Sequence, residues 1–148
     1  AKIAEKVAAI LERRGLGVTM TRQRNEYTEL EARAEIANRR NADLFVSIHA
    51  DSAPSPSAQG FTVYIANAAS ADSQRAARDI SRAMATTGLE NRGVRREDYR
   101  VLRTSRGPAV LVEMGYLSNR QDALRLQDSA FQDKLAAAIA TGILDYLQ

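Results

Sequence analysis

Four stretches of the chain place apolar residues at the spacing of one helical face, which predicts four amphipathic helices. The first starts with the chain and ends near Gly15, a residue common just past helix C-termini. The second begins at the capping-box sequence Thr28-Glu29-Leu30-Glu31 and ends at Asn41. The third covers 76–87 and the fourth 131–146, while 118–127 is typical of a short fifth helix.

Short runs of β-branched, aromatic and other apolar residues predict strands between these helices. The runs are 17–21, 44–49, 60–65 and 109–114, with a further candidate at 99–103. Residues 51–59 hold two prolines and three serines and predict an exposed loop, and 91–98 is polar and basic. Alternating helices and strands indicate crossover connections. We therefore predict an α/β fold with a mostly parallel central sheet and helices on both faces.

The composition is that of one soluble domain covering residues 1–148. The chain has 45% hydrophobic and 26% charged residues and no cysteine, which excludes disulfides and thiolate metal sites. No apolar run approaches the roughly 20 residues that a membrane-spanning helix needs. We therefore expect no membrane span.

The charge pattern favours an ordinary solvated surface. The 21 basic and 18 acidic residues give a formal net charge of +3, and the two signs are interleaved along the helices. A mildly basic protein can bind an anionic polymer, such as nucleic acid or bacterial wall material. Because the basic residues are mixed with acids, we expect no nucleic-acid partner.

His49, the single histidine of the chain, lies at the end of the predicted strand 44–49. Sheets of this class place their chemistry just beyond the carboxyl ends of their strands. Ser47 and Asp51 add polar groups at the same strand end. Neutral imidazole is the commonest metal ligand among side chains, so His49 is a candidate metal ligand. The alternative is a structural or surface histidine.

Glu113 is the second candidate, within the predicted strand 109–114. In a strand, Glu113 and Leu111 point to one face and Val112 to the other. An ionised carboxylate inside a sheet must be paired, hydrated or bound to a metal. It is therefore a candidate general base, the alternative being an ion pair with Arg103 or Arg106.

Other polar positions allow two interpretations each. Thr21-Arg22 either binds an anion or forms a turn, and Asn119 either lines the site or caps the following helix. Arg92 and Arg95 either contact substrate or lie in a solvated loop.

An ordered set of segments resembles the zinc-dependent N-acetylmuramoyl-L-alanine amidases of the amidase_3 type. The resemblance spans nearly the whole chain and is carried by 18–22, 33–38, 42–51, 91–94, 99–103 and 108–119. It implies an enzyme that cleaves the amide between N-acetylmuramic acid and the L-alanine of the peptidoglycan stem peptide. It also implies a zinc ion held by two histidines and a glutamate, with His49 matching the second histidine and Glu113 the catalytic glutamate. In that family the metal polarises the amide carbonyl and lowers the pKa of its bound water towards ~7.

The resemblance also predicts that the zinc site of this chain is incomplete. The first histidine and the glutamate ligand of the family belong to an opening strand and helix start that we expect upstream of Ala1. Without that strand, the strand that carries His49 would have an unpaired edge, so we expect the native protein to have further N-terminal residues. Wall-binding or regulatory domains outside the chain are also expected. The protein is expected to act in the periplasm, as a secreted enzyme or in the cell wall. The alternative is a catalytically inactive wall-binding or regulatory module on the same fold.

Overall fold

The structure is a computed structural model that describes residues 2–22, 28–34, 44–51, 59–105 and 107–148. The helices are α1 (Lys2–Arg13), α2 (Ala71–Met84), α3 (Arg100–Thr104), α4 (Arg120–Gln127) and α5 (Ser129–Leu147), with a 3-10 turn at Ala85–Thr87. The strands are β1 (Leu16–Arg22), β2 (Thr28–Ala34), β3 (Leu44–Asp51), β4 (Phe61–Ile65), β5 (Asn91–Arg96) and β6 (Ala109–Tyr116). No helix in the described ranges has the length and apolar character needed to cross a membrane.

The six strands form one mixed sheet in the order β1-β2-β3-β6-β4-β5. Strands β3 and β6 pair in parallel, as do β4 and β5, whereas the other three neighbouring pairs are antiparallel. The predicted α/β class is confirmed. The last strand in sequence, β6, lies at the centre of the sheet, which places a late segment of the chain directly beside β3.

The two faces of the sheet differ in what covers them. The core face carries the side chains of Val46, Val63 and Val112, which pack with α1, α2 and α5 in the main hydrophobic core. The site face carries the alternate positions, including Leu111, which packs with Leu102 of α3 in a much smaller apolar cluster. The long helices thus cover the core face, and the five-residue α3 covers part of the site face.

The prediction of a helix from Thr28 is wrong for residues 28–34, which form β2. Polar and apolar residues alternate here, so that Leu30 and Ala32 are fully buried while Glu29 and Glu31 remain partly exposed on the other face. β2 pairs with both β1 and β3 and satisfies the edge of β3 that sequence analysis expected to be unpaired. The rest of the predicted helix, 35–41, lies outside the described residues.

Two further predictions need correction at the opposite edge. Residues 91–96 form the edge strand β5 rather than a solvated loop, and 100–104 form α3 rather than a strand. Gly93 has φ +87, and the register between β4 and β5 shifts beside it, which is the signature of a β-bulge. A bulge on an edge strand hinders pairing with another chain.

Candidate active site

Three polar side chains form a row across the centre of the sheet. His49 on β3 is the register partner of Glu113 on β6, and Glu113 is the register partner of Thr62 on β4. Register partners point to the same face, and neighbouring strands lie about 4.8 Å apart. The structure thus brings together the two residues that the sequence singles out. Both strands continue beyond them, to Asp51 and Tyr116, so the pair lies within the paired part of the sheet.

The two members of the pair differ in exposure. Glu113 is 4% exposed, whereas His49 is partly exposed beside a cleft. Ser47 Oγ lies 3.0 Å from His49 Nε2, within hydrogen-bond distance. The two side chains come together because they stand two residues apart on the same face of β3.

A cleft of about 470 Å³ opens next to His49 on the site face. Its volume lies in the range of roughly 300–1,000 Å³ that is typical of small-molecule sites. The residues around it are Glu29, Ser47 and His49 on strands β2 and β3, Leu111 on β6, and Tyr99, Arg100, Val101 and Thr104 in and just before α3. One wall of the cleft is therefore the sheet and the opposite wall is α3.

Tyr64 of β4 lies near the buried carboxylate of Glu113. Burial raises the pKa of Tyr64, and the hydrogen bond with Tyr116 and the nearby charges of Tyr116, Tyr99 and Glu113 raise it further. The rings of Tyr64 and Tyr99 meet edge to face, with centroids 5.3 Å apart. Glu113 thus lies within electrostatic reach of a phenol that stays protonated.

Asp122 of α4 fastens the end of β6 to the start of β4. It is 1% exposed, and its Oδ2 accepts hydrogen bonds from the backbone N–H groups of Tyr116, at 2.9 Å, and Gly60, at 3.0 Å. Gly60 has φ +97 and a Cβ there would lie 2.2 Å from the Glu90 carbonyl oxygen, so only glycine fits. The carboxylate holds β4 and β6 in register close to Glu113.

The contacts of Asn119 and Arg103 bear on two questions that the sequence left open: the role of Asn119 and the partner of Glu113. Asn119 is the N-cap of α4, since its side chain accepts from the Asp122 N–H at 3.0 Å. Within the described part of the chain, Arg103 makes no ion pair with Glu113. The other named partner, Arg106, lies outside the described residues.

The described residues do not make a complete catalytic zinc site. Such a site needs three protein ligands, and no group of three or more His, Asp or Glu side chains lies together in the described ranges. Among the described residues, His49 and Glu113 therefore lie beside the cleft without forming a metal centre.

The sequence matches known proteins over nearly its whole length. The pattern that defines the family Amidase_3: N-acetylmuramoyl-L-alanine amidase matches residues 1–145. The chain belongs to this family. It is 39% identical to the probable cell wall amidase LytH of Staphylococcus aureus over 147 residues, 98% of this chain and 47% of that protein. The chain thus spans about half the length of the curated relatives it matches.

Solved structures of Amidase_3 domains have the same fold. The amidase AmiC2 of Nostoc punctiforme superposes with a TM-score of 0.79 at 32% identity, over 99% of this chain and 81% of that one. The catalytic domain of CwlV from Bacillus (Paenibacillus) polymyxa var. colistinus gives 0.78 at 33% identity, with the same coverage of both chains. These likenesses support the α/β class and the family assignment together.

Several residues around the site of this Amidase_3 chain were not predicted from the sequence. Thr62 and Tyr64 of β4 lie on the same face of the sheet as Glu113 of β6. This shared face follows from the pairing of β4 with β6. Asp122 looks like an ordinary first-turn acid of a helix. Arg100 lies in a segment predicted as a strand. The period-2 alternation of 61–65 was the one signal in the sequence that could have pointed to Tyr64.

Proposed function

We propose that the protein containing this chain hydrolyses peptidoglycan at the amide between N-acetylmuramic acid and the L-alanine of the stem peptide. The observation that carries the proposal is the register pair of His49 and Glu113 beside a cleft, in a chain of the Amidase_3 family. The relatives of this chain include a probable cell wall amidase, which supports a cell-wall substrate. The proposed place of action is therefore outside the cytoplasmic membrane.

Glu113 is proposed as the general base and then the general acid. It takes a proton from the water whose oxygen attacks the amide carbonyl carbon, and a tetrahedral intermediate forms. The carbon–nitrogen bond then breaks, and Glu113 returns the proton to the leaving nitrogen of alanine. The products are the carboxylate of muramic acid and a free peptide amine.

We further propose that the full-length protein is zinc-dependent and that His49 is one zinc ligand. The other histidine ligand would come from outside this sequence, because His49 is its single histidine. The proton transfers assigned to Glu113 rest on its position alone and need no contact with the metal.

The decisive experiment compares Glu113→Gln with the wild type in full-length protein, using a muramyl peptide as substrate. Loss of a general acid–base is expected to lower kcat by about 10²–10⁴-fold. Glu12→Gln is the matched control, because Glu12 is exposed on α1, a helix that covers the face of the sheet opposite to the site. We expect Glu12→Gln to retain the wild-type kcat. Full activity in Glu113→Gln would refute the role of Glu113.

Metal content separates the two proposed roles. His49→Ala should lower the zinc content of the purified full-length protein, whereas Glu113→Gln should leave it unchanged. Equal zinc content in His49→Ala and wild type would refute the ligand role. If the wild type binds muramyl peptide and never cleaves it, the protein is a wall-binding module instead.

A further inference from the structure

One segment beside the cleft is rich in arginine. Residues 91–105 contain five arginines and two acids, which leaves 16 basic and 16 acidic residues in the rest of the sequence. The segment forms β5 and α3. The segment itself therefore carries a formal net charge of +3.

Three of these arginines already serve the fold. Arg92 stacks over the Tyr116 ring at 5.3 Å, and Arg95 Nε donates to the Arg92 carbonyl at 3.1 Å. Arg96 Nη1 donates to the Asn67 carbonyl at 2.9 Å. These contacts hold the three guanidinium groups against backbone or a ring.

Arg100 and Arg103 differ from the other three. Both are exposed, and neither guanidinium group makes a hydrogen bond or ion pair with another described residue. They lie on the same short helix but line different cavities. Arg100 lines the His49 cleft, and Arg103 lines a second cavity of about 430 Å³ that also contains Asp72 and Asp98.

The helix that carries Arg100 is held firmly on the sheet. Leu102 is 6% exposed and packs on Leu111, and Thr104 Oγ1 donates to the Arg100 carbonyl at 2.8 Å. The Tyr99 ring, just before the helix, meets the Tyr64 ring edge to face. These contacts fix the backbone position from which the Arg100 side chain extends into the cleft.

The cleft is therefore polarised. Its sheet wall carries His49 and the acidic Glu29, and its α3 wall carries the cation of Arg100. A ligand with an amide at one end and a carboxylate at the other can place its amide beside His49 and its carboxylate against Arg100, which attracts it.

We propose that Arg100 binds a carboxylate of the stem peptide and so sets the orientation and the specificity of the substrate. This inference rests on the proposed function. The amide to be cleaved then lies towards His49 and Glu113, and the carboxylate of the peptide, beyond L-alanine, lies against α3. Arg100 takes no part in the bond-breaking step.

The test uses the full-length protein and two muramyl peptides that differ in one group. In one the residue after L-alanine has a free carboxylate, and in the other that carboxylate is amidated. Arg100→Gln should raise KM for the free carboxylate by about tenfold, equivalent to about 1.4 kcal/mol, with kcat unchanged. For the amidated peptide, Arg100→Gln and wild type should have the same KM.

Arg103→Gln is the matched control, since it removes the same charge from the same helix on the side of the other cavity. It should leave both KM values at the wild-type level, and Arg100→Lys should recover part of the lost affinity. An equal effect of Arg100→Gln on both peptides, or an equal effect of Arg103→Gln, would overturn the proposal.

Equilibrium binding of the two peptides, measured by calorimetry, distinguishes failure of the proposed hydrolysis from failure of the proposed role of Arg100. If the wild type binds the free-carboxylate peptide through Arg100 but does not cleave it, the proposed function fails and the role of Arg100 stands. If it cleaves both peptides with the same KM, the role of Arg100 fails and the function stands. If it neither binds nor cleaves them, both fail.

Discussion

Replacing Asp122 with alanine removes the acceptor for two buried backbone donors at once. The N–H groups of Gly60 and Tyr116 both donate to the same carboxylate oxygen, and Asp122 is 1% exposed. Leaving a buried donor unsatisfied costs about 1–3 kcal/mol, so two donors predict a loss of about 2–6 kcal/mol in the free energy of unfolding. Such a loss is large beside the total stability of about 5–15 kcal/mol that is typical of a domain.

Asp128→Ala is the control for this change. Asp128 is exposed, and its carboxylate accepts one hydrogen bond, from the Phe131 N–H at the start of α5. Losing such an N-cap costs about 0.5–2 kcal/mol. Urea unfolding followed by far-UV circular dichroism measures both variants. A loss in Asp122→Ala no greater than that in Asp128→Ala would refute the reasoning. Asp122→Asn keeps one acceptor oxygen and should lie between Asp122→Ala and the wild type.

Two further predictions concern helix packing and alkaline pH. A Cβ at Gly142 of α5 would lie 2.5 Å from Ile80 Cα of α2, so Gly142→Ala should lower stability by about 1–3 kcal/mol. Thr141→Ala, exposed on the same helix, should not, and equal urea midpoints for the two variants would contradict the clash. Burial raises the pKa of Tyr64 above its usual 10.0, so the folded state keeps a proton that the unfolded state releases, and stability must fall as pH rises above about 10. Tyr64→Phe should flatten that fall in urea titrations at alkaline pH, and an unchanged slope would count against the shift.

The elements with a single clear period of hydrophobic residues could be predicted from the sequence. The stripe of Ile3, Val7 and Leu11 predicts α1, and the apolar runs predict β3 and β6 with errors only at their ends. Strands buried on one face by the main core must be apolar at alternate positions. These elements could be predicted because the spacing of their apolar residues fits only one type of secondary structure.

Residues 28–34 show why another part could not be read. Leu30 and Ala34 fit a helical stripe with a capping box, and Leu30, Ala32 and Ala34 equally fit one face of a strand. The choice is made by β1 and β3, which flank the segment and supply backbone partners on both sides. Tertiary pairing overrides local propensity in such a case.

The candidate site was predicted in its two central residues and not in its surroundings. His49 and Glu113 stand out because polar side chains interrupt apolar strands. That they are register partners depends on the parallel pairing of β3 with β6, across 64 residues of sequence. The contributions of Tyr64, Arg100 and Asp122 depend on pairings and helix positions that no local pattern encodes.

The unequal covering of the two sheet faces has a consequence for how this sequence can vary. Most buried apolar side chains belong to the core face, whereas the site face has a small apolar cluster under α3. Substitutions around the cleft therefore act on recognition with little effect on folding, while substitutions under the long helices act mainly on folding. Closely related proteins can thus keep the same scaffold and change the shape and charge of the cleft by changing α3 and the residues just before it. A deep mutational scan that scores protein abundance and cleavage separately should show two groups of substitutions. Those around the cleft should lower cleavage, and those under the long helices should lower abundance.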